Sequence, residues 1–331
     1  MKIVLITPPI DDARGNRTTV DRWCAALLDA GHDAVCIEPD TVSAVEHADI
    51  VHGHQATHTG PAAIGLARRL DTPAVISLGG TDIHGTGGSQ PTPETKETLL
   101  SASTIIVPNA TQAELIRQLD DSAPPTYIVE RCLSELPSDP LPFPATGLHI
   151  VMVGGIRPVK GQLEALQSLT ACTEVPEDLA LSIVGPTVDE NYAQLVQAHV
   201  KDLSSVIVRG AVPHRDMSSV FAGAHALLNY SRHEGASNAI LEAWSYGRSV
   251  AASDVPGNHE LMCDAPASGA VLLDPRSPKE LQDWLHILAQ RSSKDWANCA
   301  REASEYVMSA HSPRIETQAL LKAYKNSLIH P

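Results

Sequence analysis

Two stretches of this chain combine residue types that suit a ligand bearing both anionic groups and hydroxyls. The first is Ser231-Arg232-His233-Glu234-Gly235-Ala236-Ser237-Asn238-Ala239-Ile240-Leu241-Glu242-Ala243, directly after the apolar run Ala226–Asn229. Glu234 falls in the strand-to-helix loop, and Glu242 lies on the helix that follows. If Ser237 or Asn238 caps that helix, its free amides and positive dipole end face a diphosphate. Gly235 lets the backbone come close. An acidic loop residue beside an anion site needs a different partner, and sugar hydroxyls suit it. The plainer alternative is a solvated loop glutamate followed by a helix-face charge.

The second stretch is Val153-Gly154-Gly155-Ile156-Arg157-Pro158-Val159-Lys160-Gly161, a glycine-bearing turn between a strand and a helix. Gly155 and its neighbour allow close backbone approach, while Arg157 and Lys160 can neutralise charge on a departing diphosphate. The turn matches neither a GxGxxG fingerprint nor a P-loop. Alone, it reads equally well as a surface turn with two basic residues. Two anion-suited loops at corresponding edges of one sheet make coincidence less convincing.

Further candidates lie in the first half. His52-Gly53-His54 alternates at a strand end with His58 close behind, but no carboxylate spacing completes a metal set, so none is expected. Asp82 can simply cap a turn. The remaining histidines read as surface residues. The six cysteines form no CxxC pair and read mostly as small core residues.

These loops need elements to hold them. Lys2–Ile6 reads as a buried strand, followed by a polar loop and an amphipathic helix from about Thr18 to Ala30, which Gly31 ends. Short apolar runs at Ala34–Ile37, Ile50–His52, Ala74–Ser77, Thr104–Val107 and Tyr127–Val129 then alternate with helical stretches. A Pro-rich segment from about Ser134 to Gly147 interrupts the pattern and reads as a linker. Alternation restarts with His149–Val153, Leu181–Val184, Val206–Val208, Ala226–Asn229 and Ser249–Ala252. The expectation is an α/β chain with two doubly wound Rossmann-like domains, 1–145 and 146–312, facing a central cleft. A last helix, about 313–331, can pack back on the first domain. In open α/β sheets ligands bind beyond the carboxyl ends of the strands, at a switch in strand order.

Length and composition agree: 331 residues suggest two domains at roughly 150 residues each. Apolar residues at 43% suffice for two cores. A formal charge of −15, from 39 acidic and 24 basic residues, argues against nucleic acid as a partner. It also makes membrane contact an unattractive reading. The apolar start is too short and too soon broken by Pro8 and Pro9 for a signal peptide, and no run nears the roughly 18 apolar residues of a membrane span. A cytoplasmic location is expected.

The residues quoted above resemble family 4 of the retaining glycosyltransferases with the GT-B fold. Glu234 and Glu242 meet its E-x7-E element, and Arg157 and Lys160 its basic pair after the first strand of the second domain. Val184-Gly185-Pro186, Gly210-Ala211-Val212-Pro213 and Ser253-Asp254-Val255-Pro256-Gly257-Asn258 also look like that family's segments. Two subgroups are nearest: the glycosyltransferase 1 domain-containing proteins and the selenosugar synthases. The resemblance to both rests on Gly15-Asn16-Arg17-Thr18-Thr19, Arg22-Trp23, Gly79-Gly80-Thr81-Asp82, Arg157-Pro158-Val159-Lys160 and Pro256-Gly257-Asn258. Glu234–Asn238 departs from the selenosugar pattern.

The resemblance implies roles. Arg157 and Lys160 hold the donor diphosphate, with amides near Gly155, Gly235, Ser237 and Asn238 completing the cradle. Glu234 contacts sugar hydroxyls, Glu242 the ribose, and the Val212 backbone the base. Gly15 and Asn16 sit beneath the phosphates or the acceptor, and His54 approaches the reacting centre. Arg17, Thr81 and Asp82 are acceptor candidates. The implied activity is retaining transfer of a hexosyl or N-acetylhexosaminyl group from a nucleotide-sugar, with a UDP-sugar expected, to a small soluble acceptor. No DxD motif is present, so neither a metal nor another cofactor is expected. Transfer to selenophosphate, and a sugar-nucleotide epimerase or hydrolase on the same fold, stand as alternatives. Nothing in the sequence speaks to oligomeric state.

Overall fold

A computed structural model describes residues 1–7, 15–79, 82, 91–133, 137, 139–266 and 269–329. The chain divides into two units, Met1–Ser134 with Ser312–Pro331, and Glu135–His311.

The first unit alternates β1 (Lys2–Ile6), α1 (Gly15–Asp29), β2 (Asp33–Ile37), β3 (Ile50–His54), α2 (Gly60–Leu70), β4 (Ala74–Ser77), α3 (Pro93–Leu100), β5 (Thr104–Val107), α4 (Ala110–Leu119) and β6 (Thr126–Ile128). The second contains β7 (Leu148–Val153), α5 (Gln162–Ala171), β8 (Leu179–Val184), α6 (Glu190–Val200), β9 (Val206–Gly210), α7 (Met217–Ala222), β10 (Ala226–Asn229), α8 (Asn238–Ser245), β11 (Ser249–Ser253), α9 (Pro256–Met262), β12 (Ala270–Leu273), α10 (Pro278–Ala289) and α11 (Ser293–Ala310). α12 (Pro313–Ile329) then returns to the first unit.

Among the described residues all strand pairings are parallel, in the orders β2-β1-β3-β4-β5-β6 and β12-β11-β10-β7-β8-β9. Helices cover both faces of such a sheet, which is why the central strands read as unbroken apolar runs. In the first unit the alternation of side chains sorts β1 between two cores. Ile3 and Leu5 pack with Val20, Trp23 and Leu27 of α1 and with Leu320 and Tyr324 of α12. Val4 and Ile6 pack with Ala63, Ile64, Leu99 and Ile116 on the other face. The buried positions of α12, Leu320, Ala323, Tyr324 and Ser327, follow helical spacing and form its sheet-facing stripe. In the second unit one core brings Leu148, Ile150 and Met152 against Leu166, Ile183, Leu228, Trp284 and Leu285.

The sheet orders locate the switch points. They lie between β1 and β3 in the first unit and between β7 and β10 in the second, where ligands of open α/β sheets bind beyond the strand ends.

The unit boundary lies earlier than residue 145. The Pro-rich segment belongs to the second unit because side chains fasten it there. Arg248 donates to the carbonyls of Leu141, at 2.5 Å, and Pro142, at 3.0 Å, and its guanidinium stacks over Phe143. Phe143 also stacks on His225. His225 and His311 are buried rather than on the surface. Among the cysteines only Cys132 and Cys299 are fully buried, and Cys263 is exposed. Among the described residues no helix is long and apolar enough to cross a membrane.

Candidate active site

The second unit's switch point unites the two stretches that the sequence singles out. Beyond β7 the chain makes the turn Gly154–Arg157 and a single helical turn, Pro158–Lys160, before α5. Beyond β10 it forms the loop Tyr230–Ser237 before α8. The Arg232 amide donates to the Val159 carbonyl at 2.9 Å, which ties the two loops together. Gly161 has φ +64°, and a β-carbon there would overlap the Tyr230 carbonyl. Only glycine permits both the turn and the contact. Gly161→Ala should therefore destabilise the second unit by more than about 1 kcal/mol, read as a lowered denaturant midpoint.

Lys160 and Glu234 meet across this junction, Nζ to Oε1 at 2.5 Å, with the glutamate side chain only 9% exposed. The same Oε1 accepts from Ser231 Oγ at 2.7 Å and Asn229 Nδ2 at 3.4 Å. Asn229 is itself fixed: its Nδ2 donates to Ser237 Oγ at 2.9 Å, and its Oδ1 accepts from the Ser231 amide at 3.1 Å and Asn258 Nδ2 at 3.4 Å. Burial alone would raise the Glu234 carboxyl, but the Lys160 charge and hydrogen bond, with the Ser231 and Asn229 donors, outweigh it and hold it below its ordinary value.

This arrangement leaves useful groups unspent. All three donors converge on one carboxylate oxygen, so Glu234 Oε2 is available to a ligand hydroxyl. An ammonium has three N–H groups, and Lys160 uses one on Glu234. Gly257, in the first turn of α9, lies hard against the Glu234 backbone, where a β-carbon would overlap the carbonyl oxygen, so the loop is held from behind.

The remaining second-unit candidates fall around this pair. Arg157 is half-buried on the same turn, and Gly155 packs so tightly on Val188 that a β-carbon would sit 2.7 Å from its methyl group. Gly235 is buried beside Glu234. Ser237 is the α8 N-cap residue, but its side chain bonds Asn229 rather than the helix amides, and Asn238 Oδ1 is buried without a partner. Glu242, one helical face along, meets His214 Nε2 at 3.3 Å, in the stretch after β9 that also carries the half-buried Val212.

In the first unit, β3 brings His52 and His54 to one face because residues two apart in a strand point the same way. Ser77 of β4 is opposite His54 in register, and its hydroxyl meets both rings, at 2.7 Å from His52 Nε2 and 2.8 Å from His54 Nδ1. Tyr324 of α12 closes the far end, 2.6 Å from His52 Nδ1. The Trp23 indole stacks on His52 and meets His54 edge-on. His54 is enclosed, at 1% exposure. Burial holds both histidines neutral, His52 down to about 3 and His54 well below its ordinary value, the latter also through nearby Arg131 and Arg22.

The sign of that shift sets an acid limit. A histidine kept neutral in the fold but free to charge when unfolded leaves the unfolded chain holding more protons below about pH 6.5, so stability falls as pH falls. Each of the two should remove up to about 1.4 kcal/mol per pH unit. The first unit's urea midpoint should therefore drop between pH 6.5 and pH 4.5 in wild type, and the slope should be shallower in His52→Gln.

Asp82 is buried, with Oδ2 accepting from the Gly79 amide at 2.5 Å and Oδ1 facing Thr57. Desolvation raises its carboxyl above the ordinary value against those hydrogen bonds. Arg17 pairs with Glu38 at 3.0 Å and Asp21 at 3.6 Å. Gly15 and Asn16 open α1, and Thr81 lies outside the described residues. Missed from sequence were Asn229, Ser231 and Asn258 around Glu234, and Ser77, Tyr324 and Trp23 around the histidines. A polar residue ending an otherwise apolar strand, as at Asn229 and Ser77, was the available signal.

Comparisons with known proteins bear on the fold and the family. Residues 147–291 match the family of Glycosyl transferases group 1. Glycosyltransferase 1 domain-containing protein 1 of Xenopus tropicalis is 29% identical over 170 residues, 51% of this chain. The chain spans about half the length of the curated relatives it matches, 48% in each of two cases. Among solved structures, sucrose-phosphate synthase from Thermosynechococcus elongatus superposes over all of both chains with a TM-score of 0.84 at 15% identity. Anabaena HepE in complex with UDP and glucose covers 98% of this chain and 100% of its own, with a TM-score of 0.79 at 14% identity. Those likenesses give the fold, GT-B, and the segment 147–291 is similar to the family of Glycosyl transferases group 1.

Proposed function

We propose that this chain is a retaining, metal-independent glycosyltransferase that moves a hexosyl or N-acetylhexosaminyl group from a uridine diphosphate sugar to a soluble small-molecule acceptor. The observation that carries the reading is the Lys160–Glu234 pair at the β7/β10 switch point. Its unspent ammonium donors suit a diphosphate, and its open carboxylate oxygen suits sugar hydroxyls. Glu242, beside the stretch after β9, is assigned to accept from the ribose hydroxyls in this reading. The UDP and glucose found with HepE make uridine the first base to try.

In this reading Lys160 exchanges part of its contact with Glu234 for the donor phosphates and stabilises the charge that builds on them as the glycosidic bond breaks. Arg157 shares that charge. Acceptor recognition falls to the first unit, with Arg17, Thr81 and Asp82 as its candidates and His54 as the group nearest the chemistry.

The test is a panel of UDP-, GDP- and ADP-sugars incubated with the chain, with and without a mixture of small acceptors that includes selenophosphate. The expected result is acceptor-dependent release of one nucleoside diphosphate, insensitive to a chelator, with the donor's anomeric configuration kept in the product. Conversion of the donor without any acceptor would replace this reading with an epimerase or hydrolase.

A further inference from the structure

The hydrogen-bond chain Tyr324–His52–Ser77–His54 admits three arrangements of neutral rings, and they leave different atoms unsatisfied. If Tyr324 donates, His52 accepts at Nδ1 and donates from Nε2 to Ser77, whose hydroxyl donates to His54 Nδ1. Every atom of the chain is then used except His54 Nε2, which carries a hydrogen and is buried without a partner. If the chain runs the other way, His54 Nε2 is a bare lone pair and the Tyr324 hydroxyl hydrogen has no acceptor among the described residues; if both rings donate to Ser77, His54 Nε2 is again bare and the Ser77 hydroxyl hydrogen has no acceptor among them. One orphan is cheaper than two in a dry interior.

From this count we propose that Tyr324, His52 and Ser77 are positioning residues that lock His54 as an Nε2–H hydrogen-bond donor, and that this donor recognises an oxygen atom of the substrate. The proposal rests on the reading that His54 meets substrate. It assigns His54 the role of donor, not of general base. Trp23 Nε1–H, which can only donate, is likewise buried without a partner, and its ring packs edge-on to His54 at 5.2 Å between centroids. Two neighbouring N–H groups without acceptors suit an oxygen-bearing ligand and not a cationic one. The lock reaches His54 from the C-terminal helix, so α12 takes part in setting the chemistry of the site as well as covering the sheet.

The experiment is long-range proton–nitrogen correlation of the full chain labelled with 15N-histidine, with His52 and His54 assigned from their single variants. The expected result is one tautomer near neutral pH, Nε2 protonated and Nδ1 bare in both rings. Tyr324→Phe should add a second set of resonances with Nδ1 protonated. A wild-type His54 protonated at Nδ1 would overturn the proposal, as would a folded Tyr324→Phe chain with unchanged ring nitrogens. Should that variant not fold, the wild-type tautomer alone decides. The measurement needs neither donor nor acceptor, so a failed transfer assay leaves it intact, and a wrong tautomer leaves the glycosyltransferase reading intact.

Discussion

Lys160→Ala should reduce turnover with any nucleotide-sugar by roughly 10²- to 10³-fold, the usual effect of deleting a preorganised group that meets developing negative charge. If Lys160 holds the donor phosphates as proposed, the variant should also weaken binding of the bare nucleoside diphosphate, because that contact is lost. A second consequence follows from the partner left behind. With Lys160 present, the Glu234 carboxyl titrates below its ordinary value; without that charge, burial dominates and the group rises. A depressed carboxyl contributes stability above about pH 4.5 that is lost as pH falls through its folded value. The stability gap between wild type and Lys160→Ala should accordingly be widest near neutral pH and narrow in acid. Glu234→Gln separates the two roles. It removes the charge and leaves Lys160 free for phosphate, so nucleoside diphosphate should still bind while discrimination among sugars falls. Titration calorimetry on the three chains checks all of this.

Glu316→Ala should destabilise the first unit by about 3–5 kcal/mol, because it strands a buried guanidinium. Glu316 holds Arg22 through two hydrogen bonds, at 2.7 and 3.0 Å, with side-chain exposures of 2% and 6%. It also accepts from the Cys132 amide at 3.3 Å and its thiol at 3.1 Å. One carboxylate thus joins α12, α1 and the segment after β6. Losing it should release α12, visible as lost amide-exchange protection across Leu320–Ser327. A double variant, Glu316→Leu with Arg22→Met, should recover most of the stability, since replacing both partners by apolar groups leaves no unpaired charge. Failure of that recovery would mean the pair does more than neutralise itself.

What could be read from the sequence follows the range of each interaction. Strand and helix alternation is local, so both parallel sheets were expected. The switch-point loops could be found because Arg157, Lys160, Glu234 and Glu242 announce themselves by charge beside glycines. The Lys160–Glu234 contact joins residues 74 apart, and no spacing within either loop predicts it. The same holds for His52 with Tyr324, 272 residues apart, and Arg22 with Glu316, 294 apart. In each case the sheet order decides the neighbours, and composition does not encode sheet order. The buried His225 looked like a surface residue because histidine has no fixed preference; here Phe143 stacks on it and Trp296 packs against it at a tilt. The Pro-rich segment looked like a free linker for want of periodicity, but Arg248, far along the chain, fastens it to the second unit.

The most direct test of the central assignment is the thermal stability of the chain with UDP, GDP, ADP and their common sugars, in wild type and in Lys160→Ala. A ligand at about 100 times its dissociation constant adds roughly 2.7 kcal/mol to the folded state it binds. The β7/β10 assignment predicts a stabilising shift with one nucleotide and its sugars, the uridine series, that disappears in Lys160→Ala. No shift with any nucleotide, or an equal shift in both chains, would contradict it.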